Sequence, residues 1–112
     1  MTRGGGEVLG RIAMGSVNLD DGVAGCAYWV LPHARRAGVA SRALTALSVW
    51  ALNEAGFHRL HLDHSTRNHA SCRVAVKCGF LLEGTKRSDA VHVDGRHDMH
   101  LHARIRGDEQ LA

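Results

Sequence analysis

The sequence lacks any apolar run approaching the roughly 18 residues that a membrane-spanning helix needs. Its start, residues 1–7, is rich in glycine and has no apolar stretch of the kind that secretion signals carry. Cysteines are scarce too: there are three, and no two of them form a C-x-x-C pair. An odd count without such a pair is typical of reduced thiols rather than of a disulfide framework. We therefore expect a cytoplasmic protein without a membrane anchor.

Aromatic residues and proline are also rare, with two tryptophans, one tyrosine, two phenylalanines and one proline in 112 residues. So few rings offer little surface on which bases could stack, and the net charge of +3 is spread along the chain. These features argue against nucleic-acid binding and fit an anionic small ligand. The length allows one domain over residues 1–112, with a glycine-rich start at 1–7 and a tail at 106–112.

The first half of the chain predicts a hairpin followed by a helix. Val8–Val17 and Val23–Leu31 are rich in branched and aromatic residues, and the stretch 18–22 between them has turn-forming chemistry. Apolar side chains then recur with a helical period over Ser41–Ala55, and Gly56 is placed to end that helix.

The second half predicts a short strand, a helix and another hairpin. Apolar and polar residues alternate over Leu60–Asp63, and Asn68 can cap a helix that runs to about Cys78. Asp94-Gly95, a strong two-residue turn signal, then separates strands at Leu81–Val93 and Arg96–Ile105. The predicted order is β-β-α-β-α-β-β.

The connection between the second strand and the first helix has the chemistry of an anion site. It reads Arg35-Arg36-Ala37-Gly38-Val39-Ala40, so unsatisfied backbone N–H groups at a helix start lie next to arginine side chains. Gly38 and Ala40 let the backbone approach an oxygen-rich ligand closely, and the arginines favour a pyrophosphate. Taken alone, the same segment equally fits an ordinary glycine-containing turn.

A second block strengthens the interpretation of that turn. It reads Asn68-x-x-Ser71-x-x-Val74-x-x-Lys77-x-Gly79-Phe80 and follows one strand and one helix later. Together the two blocks resemble the GCN5-related N-acetyltransferase (GNAT) superfamily, and most closely its RimJ/RimL-like branch. The first block is similar to the Q/R-x-x-G-x-G/A pyrophosphate loop of that family, and the second to its N-x-x-S helix that ends in K-x-G-F. The resemblance extends from about Val8 to Ile105.

The resemblance implies an α/β fold of the α+β type, with a mixed, mainly antiparallel sheet. It implies an enzyme that transfers an acetyl group from acetyl-CoA to a primary amine. By this resemblance the strand before the loop offers backbone groups to the pantetheine, the loop holds the pyrophosphate, and the second helix reaches pantetheine and nucleotide phosphates. The implied cofactor-binding residues are Trp29, Val30, Leu31, Arg35, Arg36, Ala37, Gly38, Val39, Ala40, Asn68, Arg73 and Lys77.

The implied reaction needs a proton donor for the departing thiolate and a sink for the amine proton. Ala75 stands where other members of the superfamily carry a donor tyrosine, so Ser71 or water must take that role. Asp63 matches the position of a glutamate base in some members, although its neighbour His64 could do the same work from the opposite face. Without an obvious strong base, the site suits protein N-terminal α-amines or small-molecule amines better than lysine side chains.

Two alternatives follow from other features of the sequence. Nine histidines are many for this length, and His97, Asp98, His100 and His102 lie on the last predicted strand, where they could form a divalent-metal site. The acetyltransferase interpretation itself requires no metal. The other alternative is a protein that binds coenzyme A without catalysis.

Relative to the family pattern, the chain begins near the turn before the third strand. The first strand, two N-terminal helices and most of the second strand would then be missing. Because that region covers part of the sheet and one wall of the acceptor groove, its absence would expose an apolar edge or face. From this we expect a homodimer, a partner chain or a fragment of a longer protein.

Overall fold

The computed structural model of the protein describes residues 2–3, 7–8, 10–30 and 38–108. A short ladder pairs β1 (Thr2–Arg3) with β2 (Glu7–Val8). The remaining elements are β3 (Gly10–Asn18), β4 (Val23–Val30), α1 (Val39–Asn53), β5 (Arg59–Ser65), α2 (His69–Lys77), β6 (Leu81–His92) and β7 (Gly95–Ile105). Neither described helix is long and apolar enough to cross a membrane.

The main sheet has five strands in the order β3-β4-β5-β7-β6. Only the β4–β5 pair is parallel, and the other three pairs are antiparallel. The parallel pair is the one joined by α1, as a crossover connection between parallel strands requires. The predicted mixed, mainly antiparallel sheet with two helices is confirmed.

Both helices end in the same way, as their shared Gly-Phe pairs predict. Gly56 follows α1 with φ of 86° and Gly79 follows α2 with φ of 83°, a region that residues with a Cβ enter at a cost. The next amide then bonds back into the helix, from Phe57 N to Ala51 O at 3.0 Å and from Phe80 N to Ala75 O at 2.9 Å. Each phenylalanine is consequently turned into the core, where Phe80 is fully buried.

The core lies between the helices and one face of the sheet. Its buried members are Ala24, Cys26, Leu44, Ala51, Leu52, Phe57, Leu60, Leu62, Ala75, Cys78 and Phe80. The two helices are joined at their edges by sulfur contacts: Thr45 Oγ1 and the Ser41 carbonyl each lie 3.4 Å from Cys78 Sγ. The C-terminal end of α2 is thereby held beside the N-terminal end of α1.

Several predicted boundaries differ from the structure. β5 extends two residues beyond Asp63, because it pairs with β7 as far as Ser65. The last hairpin turns at Val93-Asp94 rather than at Asp94-Gly95, since His92 pairs with Gly95. The ladder between these strands also contains irregularities between Leu82 and Gly84 and between Lys86 and Ala90, which a local turn motif does not indicate.

Two polar side chains of β7 belong to the core. His102 and Arg104 are buried, at 0% and 7% exposure, because this face of β7 lies beneath the helices. Arg104 Nη1 donates to Ser48 Oγ at 2.9 Å and to the Cys78 carbonyl at 3.0 Å. Hydrogen-bond partners from both helices make this polar core possible.

Candidate functional site

The parallel strands β4 and β5 part after a short contact. They pair only from Val23–Gly25 to Arg59–His61, after which β4 continues to Val30 along β3 and β5 continues to Ser65 along β7. On the side away from β3, backbone groups of the second half of β4 therefore face an opening rather than a described partner strand. This separation is where the resemblance places the pantetheine arm.

One side of the site is the N-terminal end of α1. Gly38 stands at the N-cap with φ of 75° and has no side chain with which to cap the helix, and the first turn has no acidic residue. A Cβ on Gly38 would lie 3.0 Å from Arg42 Nη1, so the guanidinium group leans over the glycine. Free N–H groups, the positive end of a helix dipole and a guanidinium group form an environment that fits a phosphate group.

The other cofactor positions on this side are only partly described. Val39 and Ala40 lie in the first turn of α1, and Val39 is buried. Trp29 and Val30 are placed by their backbone in β4. The remaining predicted loop residues, Leu31, Arg35, Arg36 and Ala37, lie outside the described residues.

The other side of the site is the N-terminal end of α2. Asn68 Oδ1 accepts a hydrogen bond from the backbone N–H of Ser71 at 3.0 Å, which confirms the predicted cap. That bond occupies the amide oxygen, while the exposed side-chain N–H groups have no partner within the described residues. Arg73 and Lys77 are exposed on the same helix and form no ion pair with any described residue.

Tyr28 is a residue of this site that the sequence motifs do not reveal. It lies on β4, and its hydroxyl oxygen is buried without a hydrogen-bond partner among the described residues. Burial raises the pKa of Tyr28, hydrogen bonding from the nearby Ser71 side chain lowers it, and Cys78 raises it; the Ser71 contact nevertheless lacks the geometry of a well-formed hydrogen bond. Ala75, where a donor tyrosine was sought, is fully buried in the core. Alternation along β4 was the available signal, because it puts Tyr28 on the same face as Cys26, toward the helices.

Asp63 projects from β5 on the face opposite His64. Its carboxylate forms an ion pair with Lys86 Nζ, which also contacts Asp89 at 3.1 Å. The carboxylate raises the pKa of Lys86, chiefly through this hydrogen bond. Asp63 is thus a half-exposed carboxylate with a lysine partner, on the side of the sheet away from α2.

The structure does not bring together the metal ligands considered on the last strand. His97 is held between Ser65 Oγ and Asp94 Oδ1, both at 2.6 Å, and its bond to Asp94 lowers the pKa of that aspartate. The other two residues near the turn also have separate partners: Asp98 accepts from the Ser88 amide and His100 Nδ1 lies 3.1 Å from Thr85 Oγ1. His102 is buried and contacts His64 instead. That metal set is therefore wrong as a group.

Comparison with known proteins identifies the family. The family model described as an acetyltransferase (GNAT) domain matches residues 1–81. The chain belongs to the GNAT acetyltransferase family. GNAT domains use acetyl-CoA, and the described residues fit this donor at the start of α1 and in the opening between β4 and β5. A search of curated protein sequences found no match.

Solved structures of GNAT acetyltransferases share the fold. RimL, a ribosomal-protein α-N-acetyltransferase in complex with coenzyme A, superposes with a TM-score of 0.85 at 25% identity, over 89% of this chain and 56% of that one. Spermidine N-acetyltransferase SpeG from Vibrio cholerae gives 0.88 at 15% identity, over 95% and 63%. The microcin self-immunity acetyltransferase MccE, solved with acetyl-CoA and AMP, gives 0.81 at 19% identity, over 88% and 55%. The chain thus spans less than two thirds of the length of these relatives.

Proposed function

We propose that this GNAT domain transfers an acetyl group from acetyl-CoA to a primary amine in a ternary complex. The single observation that carries the proposal is the opening between β4 and β5, flanked by the glycine-led start of α1 and by the Asn68–Ser71 turn of α2. One end offers N–H groups and Arg42 to phosphates. The α2 end offers polar side chains to the pantetheine arm of acetyl-CoA and to its thioester.

We infer each binding role from the hydrogen-bond donors and charges that a residue does not use within the described structure. Gly38 and the first turn of α1 hold the pyrophosphate together with the loop before them. The Asn68 side-chain N–H groups donate to a pantetheine carbonyl while its oxygen keeps the helix cap. The Cys78 contact with Ser41 brings the end of α2 to the start of α1, so that Lys77, and with it Arg73, can add positive charge near the phosphates.

The chemistry requires the thioester carbonyl to be attacked by a neutral amine while a thiolate leaves. We infer that Ser71 and Tyr28 together supply the proton to that sulfur. A buried phenol with a raised pKa stays protonated at neutral pH, which a donor requires. Asp63 is the candidate base. Its carboxylate lies on the face of the sheet away from α2, where it forms an ion pair with Lys86.

We infer that the acceptor is a protein N-terminal α-amine or a small amine, as in the RimJ/RimL-like branch. An α-amine with a pKa of about 7.7–8.0 is substantially neutral in a cell, whereas a lysine near 10.4 is neutral at about one part in a thousand. The Asp63 carboxylate already forms an ion pair with Lys86, so it is a poor base for removing the additional proton of a lysine side chain that serves as the acceptor. A screen in which lysine side chains react and peptide α-amines do not would contradict this assignment.

We also infer that the protein functions as a homodimer or with a partner chain in the cytoplasm. β6 is an edge strand, and it and the following turn expose large apolar side chains: Leu81, Leu82, Val91 and Val93. Exposed apolar edge strands are surfaces on which another chain can pair. Light scattering over a concentration series measures the mass, and a monomer at every concentration would contradict the homodimer.

Calorimetric titration of acetyl-CoA into the wild-type protein, Gly38→Glu and Gly56→Glu tests the binding site. Both glycines have positive φ and flank α1, so both variants carry similar backbone strain and the same added charge. Only Gly38→Glu puts a carboxylate beside the proposed phosphate position, and we expect its affinity to fall at least about 100-fold. Equal binding by both variants would overturn the proposed site.

Release of free thiol in the presence of an amine library then separates two outcomes. Thiol release that depends on the amine supports the enzyme. Tight binding of acetyl-CoA without amine-dependent thiol release supports the second candidate, a coenzyme A-binding protein without catalysis.

A further inference from the structure

Two buried histidines lie beneath α2 with their rings nearly parallel. His64 on β5 and His102 on β7 are 5% and 0% exposed, and their ring centroids are 4.9 Å apart with an interplanar angle of 28°. Their Nε2 atoms approach to 2.9 Å. Neither histidine has a place in the proposed acetyl transfer.

The hydrogen bonds of the two rings conflict unless a cation is present. His64 Nδ1 lies 2.8 Å from the Ser65 carbonyl and His102 Nδ1 lies 3.2 Å from the Phe80 carbonyl. A carbonyl oxygen can only accept, so each Nδ1 must carry the hydrogen. A neutral imidazole has a single N–H, and both Nε2 atoms therefore present lone pairs to each other across 2.9 Å. A positive ion between or beside them removes this repulsion.

A third donor atom distinguishes a metal ion from an additional proton. Cys72 on α2 places its Sγ so that this atom and a ring nitrogen of each histidine all lie within 4.8 Å of one another. A shared proton would need only the two nitrogens and has no use for the sulfur.

We propose that His64, Cys72 and His102 form a binding site for a divalent transition-metal ion of the zinc class. Two imidazoles and one thiolate are a donor set typical of zinc, and three protein ligands leave the fourth position to a solvent molecule. The Nδ1–H contacts with backbone carbonyls are the interactions that orient histidine ligands and fix their tautomer. No residue of the predicted set on the last strand other than His102 takes part.

The three ligand atoms fit this ion after small movements. About 2.0–2.1 Å for zinc–nitrogen and about 2.3 Å for zinc–sulfur bonds put tetrahedral ligand atoms roughly 3.3–3.6 Å apart. The two nitrogens must separate by a few tenths of an ångström, and the sulfur must move inward by about 1.2 Å if it lies at the outer limit of the cluster, or by less if it lies nearer. Movement of this size is within the reach of a Cys72 rotamer on a half-buried helix face.

An ion at this position would link three elements that are distant in sequence: β5, α2 and β7. Binding to the folded state alone stabilises it according to the ratio of free ion to dissociation constant. Because Cys72 is adjacent to Ser71, the ion would also fix the first turn of α2, which belongs to the proposed acetyl-CoA site. The metal site is nevertheless independent of catalysis, since none of its ligands is among the proposed catalytic groups.

The test is a titration of tag-free, chelator-treated protein with Co²⁺, followed by displacement with Zn²⁺. We expect one ion per chain, the visible absorption of tetrahedral cobalt, a thiolate-to-cobalt charge-transfer band, and a higher Tm with Zn²⁺ than with chelator. Cys72→Ser should lose the charge-transfer band and bind at least about 10-fold more weakly. His64→Gln should lose tetrahedral binding, and Cys72→Ser keeps the test decisive if that variant does not fold.

His100→Gln is the matched control, because His100 is the neighbouring imidazole on β7 and lies outside the three ligands. It should bind Co²⁺ within about 3-fold of the wild-type protein. The proposal is overturned if the wild-type protein binds no ion at equimolar concentrations, if Cys72→Ser retains the band and the affinity, or if only His100→Gln loses binding. Nitrogen NMR that shows one proton shared between the two rings in the presence of Zn²⁺ would also overturn it.

Discussion

Replacing Tyr28 by phenylalanine should raise stability and lower activity at the same time. The Tyr28 hydroxyl is buried without a partner among the described residues. A buried polar group without a hydrogen bond costs about 1–3 kcal/mol, so Tyr28→Phe should recover about 1 kcal/mol. For a domain of this size that corresponds to a rise in Tm of roughly 4 °C.

Ser48→Ala provides the contrast, because its hydroxyl is equally buried but fully engaged. Ser48 Oγ donates to the Thr45 carbonyl at 3.0 Å and accepts from Arg104 Nη1 at 2.9 Å. Removing it takes one partner from a buried guanidinium group whose Nε already has none within the described structure. We expect a loss of about 1–3 kcal/mol, opposite in sign to the effect of Tyr28→Phe.

Thermal unfolding without ligand measures the first effect, and initial rates of thiol release measure the second. If Tyr28 helps to protonate the leaving sulfur, Tyr28→Phe should reduce kcat by about 10-fold to 100-fold with little change in acetyl-CoA affinity. A lower Tm for Tyr28→Phe would refute the claim that the Tyr28 hydroxyl lacks a hydrogen-bond partner. An unchanged kcat would remove Tyr28 from the reaction.

Three further predictions concern other parts of the chain. Asn68→Asp keeps the oxygen that caps α2 but loses the N–H groups, so calorimetry should show weaker acetyl-CoA binding with a Tm within a few degrees of wild type; a normal affinity would limit Asn68 to the cap. Burial raises the pKa of Cys26 to about 11, so iodoacetamide at pH 8 should label Cys72 and spare Cys26. Peptide mass spectrometry measures the labelling, and preferential labelling of Cys26 would contradict its burial. The Arg59 hydrogen bond lowers the pKa of Glu83, so the stability it adds is present above the ordinary carboxyl pKa and is lost as the pH falls below it. Glu83→Gln should accordingly cost less than about 1 kcal/mol at pH 7 and less at pH 3 than at pH 7 in denaturant titrations, and an equal cost at both values would contradict the ion pair.

The element order and the helix ends could be predicted because their causes are local. Gly56 and Gly79 end helices through their own backbone freedom, and Asn68 caps α2 through a bond that reaches only to Ser71. Strand ends and the last turn were predicted less well. The end of β5 depends on how far β7 runs beside it, and the turn lies at Val93-Asp94 because His92 pairs with Gly95 across the two strands.

Some residues of the candidate site could be predicted from local motifs, and others could not. Gly38 and Asn68 belong to short motifs at helix starts, where a glycine or a cap is needed at one position whatever lies around it. Tyr28 belongs to no such motif, because its unpaired hydroxyl depends on the parting of β4 from β5 and on the place of α2 above that opening. Asp63 was predicted only as a candidate base, and the sequence did not indicate its lysine partner, which comes from β6 across the intervening strand β7.

By itself, the sequence determined the order of the main-sheet strands and the two helices, together with the family resemblance, since periodicity, capping and short motifs act within a few residues. Only the tertiary structure decided which distant side chains meet. His64 and His102 are 38 positions apart and touch because β5 and β7 are neighbours in register. The same pairing turns His102 inward rather than toward solvent, because the helices cover that face of the sheet and burial of a strand face is a property of the whole fold.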